Sequence, residues 1–102
     1  MDRLTSALTG LPPAARLDSG QVLAATRKAF AGTPGEASVG TAPDGSVGVA
    51  VTIGPRLDCL AARIPPGGRP EVWVPPRVVV QPGELGCDAA AFARGLGTSA
   101  PH

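Results

Sequence analysis

The chain has 102 residues and a formal net charge of +1, and 43% of it is hydrophobic although only 3% is aromatic. These values allow one small domain with a core of Val, Leu, Ile and Ala, burying roughly 60 to 70% of the surface its unfolded chain exposes. The near-neutral charge is spread evenly, which excludes a basic or acidic tail and any strong bulk pull toward nucleic acid or an anionic membrane. A core this small is readily supplemented by burial in a dimer.

Gly and Pro together form about a quarter of the chain, a proportion at which disorder competes unless periodic apolar segments lie between the breakers. Such segments are present. The opening MDRLTSALTGLPPAA has no basic n-region and is broken by Pro12 and Pro13, so no signal peptide is expected. No apolar run approaches membrane-spanning length, and the expected location is cytoplasmic. Residues 1–17 are expected to form a loosely docked arm, because a Pro-Pro block cannot sit inside a helix.

From Asp18 the pattern changes. Asp18 and Gln21 have capping-box spacing, and Val22, Leu23, Thr26, Ala29 and Phe30 recur at helical intervals. Arg27 and Lys28 suit the negative end of that helix, and Gly32 stops it. A first strand is predicted at 36–42. Pro43-Asp44-Gly45 is turn chemistry. Val47, Val49, Val51 and Ile53 then line one face of a second strand whose other face, Gly48, Ala50 and Thr52, is small. That small face buries little by itself, so another element or a second subunit is expected against it. A third strand follows at 57–64, with Leu60, Ala62 and Ile64 alternating with Cys59, Ala61 and Arg63. The run EVWVPPRVVV, 71–80, is broken by Pro75 and Pro76, so it reads as an edge strand or two short pieces. Leu85, Ala89, Phe92 and Leu96 make a helical stripe with Gly97 as its stop, and 98–102 should fray. The prediction is therefore one α+β domain over 18–97: a short helix, an antiparallel sheet of three to four strands, and a C-terminal helix.

Catalytic chemistry finds little support in these residues. The sole histidine is His102, at the last position, which leaves a triad without a fixed imidazole. Cys59 and Cys87 lie in apolar contexts without CxxC spacing, and they read as two buried thiols rather than a zinc site or a disulfide. Asp44, Asp58, Glu71, Glu84 and Asp88 each have a turn, helix-start or solvent-facing role open to them. DGSVG lacks the order of a nucleophile elbow, and AGTPGEA and PPGGRP lack the Lys-Ser/Thr end of a P-loop. Neither a cofactor, a metal nor a small-molecule substrate is implied.

Binding is the remaining class. Trp73, on a proline-broken edge, with Arg69 and Arg77 beside it, is the candidate contact for a protein partner, although a large apolar residue in such a core also has a simple packing role. Arg56, Arg63, Arg69 and Arg77 could grip phosphates if the fold gathered them at one end of the sheet, or serve as solubilising rim charges.

The stretch EASVGTAPDGSVGVAVTIGPRLDCLAARI, 36–64, resembles the YbaB/EbfC nucleoid-associated family. The shared pattern is an Ala/Gly-rich strand, an acidic-Gly turn at Asp44-Gly45, alternating Val47, Val49 and Val51, a glycine turn, and a strand carrying Leu57 and Leu60. The resemblance implies a homodimer that binds DNA without strong sequence preference. It departs from the family in its short, weakly charged first helix and in PPGGRPEVWVPPRVVV. The expectation is a non-enzymatic interaction protein, homodimeric, contacting a protein partner through its sheet edge. The alternative is a nucleoid-associated DNA-binding protein.

Overall fold

The computed structural model of the protein describes residues 2–33, 35–54, 58–75 and 87–95. Several expectations lie outside them: Arg56, Leu57, Arg77 and the rest of the run at 76–80, Glu84, Leu85, Leu96, and the tail at 98–102. The described elements are α1 (Asp2–Thr9), a 3-10 turn (Pro13–Ala15), α2 (Ser19–Ala29), β1 (Gly35–Thr41), β2 (Val47–Ile53), β3 (Asp58–Ile64), β4 (Glu71–Trp73) and α3 (Ala89–Ala93). The α+β class expected from the sequence is the one observed.

Helix α2 begins where its cap requires. Asp18 Oδ1 accepts the backbone N–H groups of Gly20 and Gln21 at 3.0 and 3.2 Å, and Gln21 Nε2 donates to Asp18 Oδ2 at 3.2 Å. Two donors that would otherwise lack partners at the first turn are satisfied. The strands form an antiparallel meander in the order β1-β2-β3-β4. The β1–β2 turn is held by Asp44 Oδ1 accepting from Ser46 N at 2.9 Å and by Gly45 N donating to Ala42 O at 2.9 Å. Gly45 has a φ of 92°, which an L side chain would resist.

Because β2 pairs on both sides, its alternation sets two layers. Val47, Val49 and Val51 stand beside Ile64, Ala62 and Leu60 of β3 and form one core with Val22 of α2. Leu4 and Leu8 of α1 are fully buried in that same core. The stretch expected as a loose arm is thus a helix packed on the sheet. Leu4, Ala7, Leu8 and Leu11 already have helical spacing, and the proline block falls after the helix ends, where Pro13 starts the 3-10 turn.

The opposite face is the small one, and α3 lies on it. A side-chain carbon at Gly40 would sit 2.6 Å from Ala90 N, and one at Gly48 would overlap the backbone of Ala89 and Ala93. Glycine at these two positions is what lets a helix backbone approach a strand this closely. Ala50, Cys59, Ala61, Ala89 and Phe92 form the thin second core, with Trp73 and Cys87 packed at its margin.

The docking of α1 has a direct thermodynamic consequence. Leu8→Ala removes a fully buried side chain and should cost about 2 to 5 kcal/mol in urea denaturation. A loss below about 0.5 kcal/mol, the size typical of an exposed position, would show that α1 is not part of the core.

Candidate functional site

The outer side of β1 is the most available bonding surface among the described residues. Ala42 N donates to Ser46 O at 2.9 Å, which makes that pair a hydrogen-bonded one in the β1–β2 ladder. Antiparallel pairs alternate, so Gly40, Ser38 and Glu36 also bond across to Gly48, Ala50 and Thr52. The N–H and C=O groups of Ala37, Val39 and Thr41 therefore face outward, away from β2. No described strand pairs there. Gly35–Thr41 contains neither Lys nor Pro, two devices that commonly blunt an edge, and spans about 23 Å at the usual rise per residue. The opposite edge differs: β4 has three residues and is followed closely by Pro75.

The side chains nominated from the sequence take other places. Trp73 is half-buried, paired in register with Ala61 and standing edge-on to Phe92 with ring centroids 5.7 Å apart. Its ring is a wall of the thin core more than a projecting anchor. Val74 beside it is 57% exposed. Arg69 is exposed on the connection between β3 and β4. Arg63 is committed to structure: Nε donates to Ala93 O at 3.0 Å, and Nη2 donates to Ser46 Oγ at 3.0 Å and to Asp44 Oδ2 at 3.3 Å. One guanidinium thus joins the β1–β2 turn, the end of β3 and the end of α3. It is not displayed beside Arg69 as a phosphate grip.

The cysteines overturn their sequence reading. Cys59 and Cys87 form a disulfide, with Cα atoms 5.7 Å apart. Cys59 alternates with Leu60, so it faces α3, and Cys87 lies just before that helix. The apolar context that suggested two thiols is the thin core that brings them together.

Asp18, Asp44 and Asp88 are occupied by caps and a turn, while Asp58 and Glu71 are exposed strand residues. Asp88 Oδ1 caps α3 through Ala90 N at 3.0 Å. The Gln21 side chain, with the Gln21 and Gly20 amides, holds the Asp18 carboxyl below the usual aspartate value. The Ser46 backbone amide and hydroxyl, helped by Arg63, do the same for Asp44. Among the described residues no group of three or more His, Cys, Asp or Glu could hold a metal ion. A shallow groove of about 740 Å³ between α1 and α2 is lined by alanines, Gly10, Leu11 and Ser6 with Arg3 and Lys28, and none of these described residues is a carboxylate, thiol or imidazole. No described helix is long and apolar enough to cross a membrane.

No protein-family model, curated protein or solved structure matches the chain.

The sequence nominated the proline-broken edge beside Trp73, and neither the β1 edge nor the disulfide was among the nominated sites. The edge is made of backbone groups, and its signal in the sequence is the lack of guarding Lys and Pro between Gly35 and Thr41. Two measurements check the surrounding chemistry. Alkylation of the native, unreduced protein should modify neither cysteine, and replacing both with Ala should lower stability by about 3 to 4 kcal/mol for a loop of this length. Asp18 and Asp44 titrate lower folded than unfolded, so the unfolded state takes up protons first as pH falls. The stability they contribute is complete above about pH 4 to 5 and is lost as pH drops through the lower folded values. Asp44→Asn should flatten the acid limb of a Tm–pH curve. An unchanged acid limb would remove Asp44 from this role.

Proposed function

We propose that this is a small, non-enzymatic interaction protein that accepts an extended segment of a protein partner, a second copy included, along the outer edge of β1. The observation that carries the reading is the outward set of backbone donors and acceptors at Ala37, Val39 and Thr41 on an unguarded seven-residue strand. Strand addition draws affinity from main-chain bonds and leaves specificity to alternate side chains. Both faces of the sheet already carry helices, which leaves the edge as the direction in which the sheet can grow. The same edge can pair with its own copy about Val39, setting Ala37 opposite Thr41 with no like charges facing. The capped or turn-bound Asp18, Asp44 and Asp88 support a binding role over an acid–base one. The disulfide favours an oxidising compartment over the cytoplasmic location expected from the sequence.

Proline scanning tests the reading, because proline is tolerated where an edge N–H faces out and disrupts a ladder where the N–H faces in. Sedimentation of the chain, and titration with a fluorescein-labelled GEASVGT peptide, read the two forms of strand addition. Association in either assay should weaken about tenfold in Val39→Pro while Tm stays close to that of the parent, whereas Ser38→Pro should unfold the sheet. A chain that stays monomeric and binds no peptide, or association indifferent to Val39→Pro, would overturn the proposal. Tight binding to random duplex DNA that falls steeply with salt would favour the nucleoid-associated alternative.

A further inference from the structure

We propose that the Cys59–Cys87 bond is a thiol–disulfide exchange site: reduction by a dithiol releases α3 from the sheet and uncovers the face formed by Gly48, Ala50 and Ala61, while the sheet and the α1–α2 layer persist. This inference does not rest on the β1 edge.

Five residues cannot hold an α-helix in water by their own propensity, so α3 exists because it is anchored. Its anchors are few and identifiable. The disulfide ties its leading end to β3, Arg63 Nε binds Ala93 O at 3.0 Å at its trailing end, and Phe92 lies against Trp73 between them. Apart from Phe92 and Trp73, what α3 buries is alanine, glycine and the disulfide itself. The other layer is different in kind, since Leu4, Leu8, Val22, Val47, Val49, Val51, Leu60 and Ile64 remain packed without any contribution from α3. Loss of the bond therefore removes the one covalent constraint on α3 and leaves the other layer's core intact.

Cys87 is the more open of the two cysteines, so exchange begins from its side. Cys59 retains 9% of its surface and Cys87 is half-buried. A thiolate of the dithiol attacks one sulfur and forms a mixed disulfide, and the second thiol displaces the protein by closing a cyclic disulfide. Cys59 and Cys87 leave as thiols. Two electrons and two protons pass from reagent to protein.

Trp73 is the only tryptophan and touches α3 through Phe92, so it reports the docking directly. The experiment follows Trp73 emission, acrylamide quenching and amide hydrogen exchange before and after complete reduction with dithiothreitol. The expected result is a red shift with severalfold stronger quenching. Protection should be lost at the amides of Phe92, Arg94 and Gly95, which bond within α3 and its end, and retained at Val47–Ile53. Reoxidation should reverse the change. Disulfide quenching of the indole could alter emission by itself, so Gly48→Ala is examined in the oxidised state. Its added methyl displaces α3 from its seat, and it should reproduce the Trp73 change with no titratable thiol. Unchanged α3 amides after two thiols have been titrated, or a Gly48→Ala protein with native Trp73 emission, overturns the proposal. So does loss of protection at Val47–Ile53 together with α3, which would make the bond a staple of the whole fold.

Discussion

Strand β2 has neighbours on both sides and cover on both faces, and every other feature of the molecule answers to its alternation. Valines at 47, 49 and 51 demand a thick layer, and leucines on α1 together with Val22 on α2 supply it. Gly48 and Ala50 leave almost no thickness on the other side, and α3 fits there because it sets Ala89, Ala90 and Ala93 against the strand glycines. A one-residue slip of β2 would exchange these faces, setting valines against the α3 backbone and Gly48 and Ala50 against the leucines. The hairpin turn, fixed by Asp44 and Gly45, holds the register that prevents it.

The two layers are stabilised by different physics. On the α1–α2 side, branched aliphatic side chains leave water, and roughly 25 cal/mol per Å² of buried apolar surface accumulates over many residues. On the α3 side the buried side chains are mostly alanines around Phe92. Covalent linkage and the hydrogen bonds of Arg63 do more of the work there, and they act at particular atoms. Area-based stability degrades gradually under substitution. Point attachments fail one at a time.

What was legible in the sequence follows the same division. Asp18 and Gln21 announced α2 because a cap is local chemistry, and the valine alternation announced β2 because a pleat has period two. The small face of β2 correctly implied a covering element, since glycine and alanine alone cannot close a core. Leu4 and Leu8 were misread because Pro12-Pro13 drew attention to a break that lies beyond the helix. The cysteine pairing was not legible, because it depends on β3 presenting Cys59 toward a helix begun 30 residues later, and apolar flanks suit a thiol and a disulfide equally. The β1 edge left no side-chain signature, its chemistry being entirely main-chain. Arg63 looked like its neighbours Arg56 and Arg69, and only the fold distinguishes a clamp from a surface charge.

The position of Cys87 late in the chain has a bearing on how the molecule is made. The meander joins strands adjacent in sequence, and α1 packs on α2, so neighbouring elements of the chain are neighbours in space. All four described strands precede Cys87 in the chain, and α3 is the one described element that follows it. The bond to Cys59 therefore ties the last described element back to the third strand. Oxidative closure fastens a finished sheet to its cover, and a chain without it would hold α3 through Phe92 and Arg63.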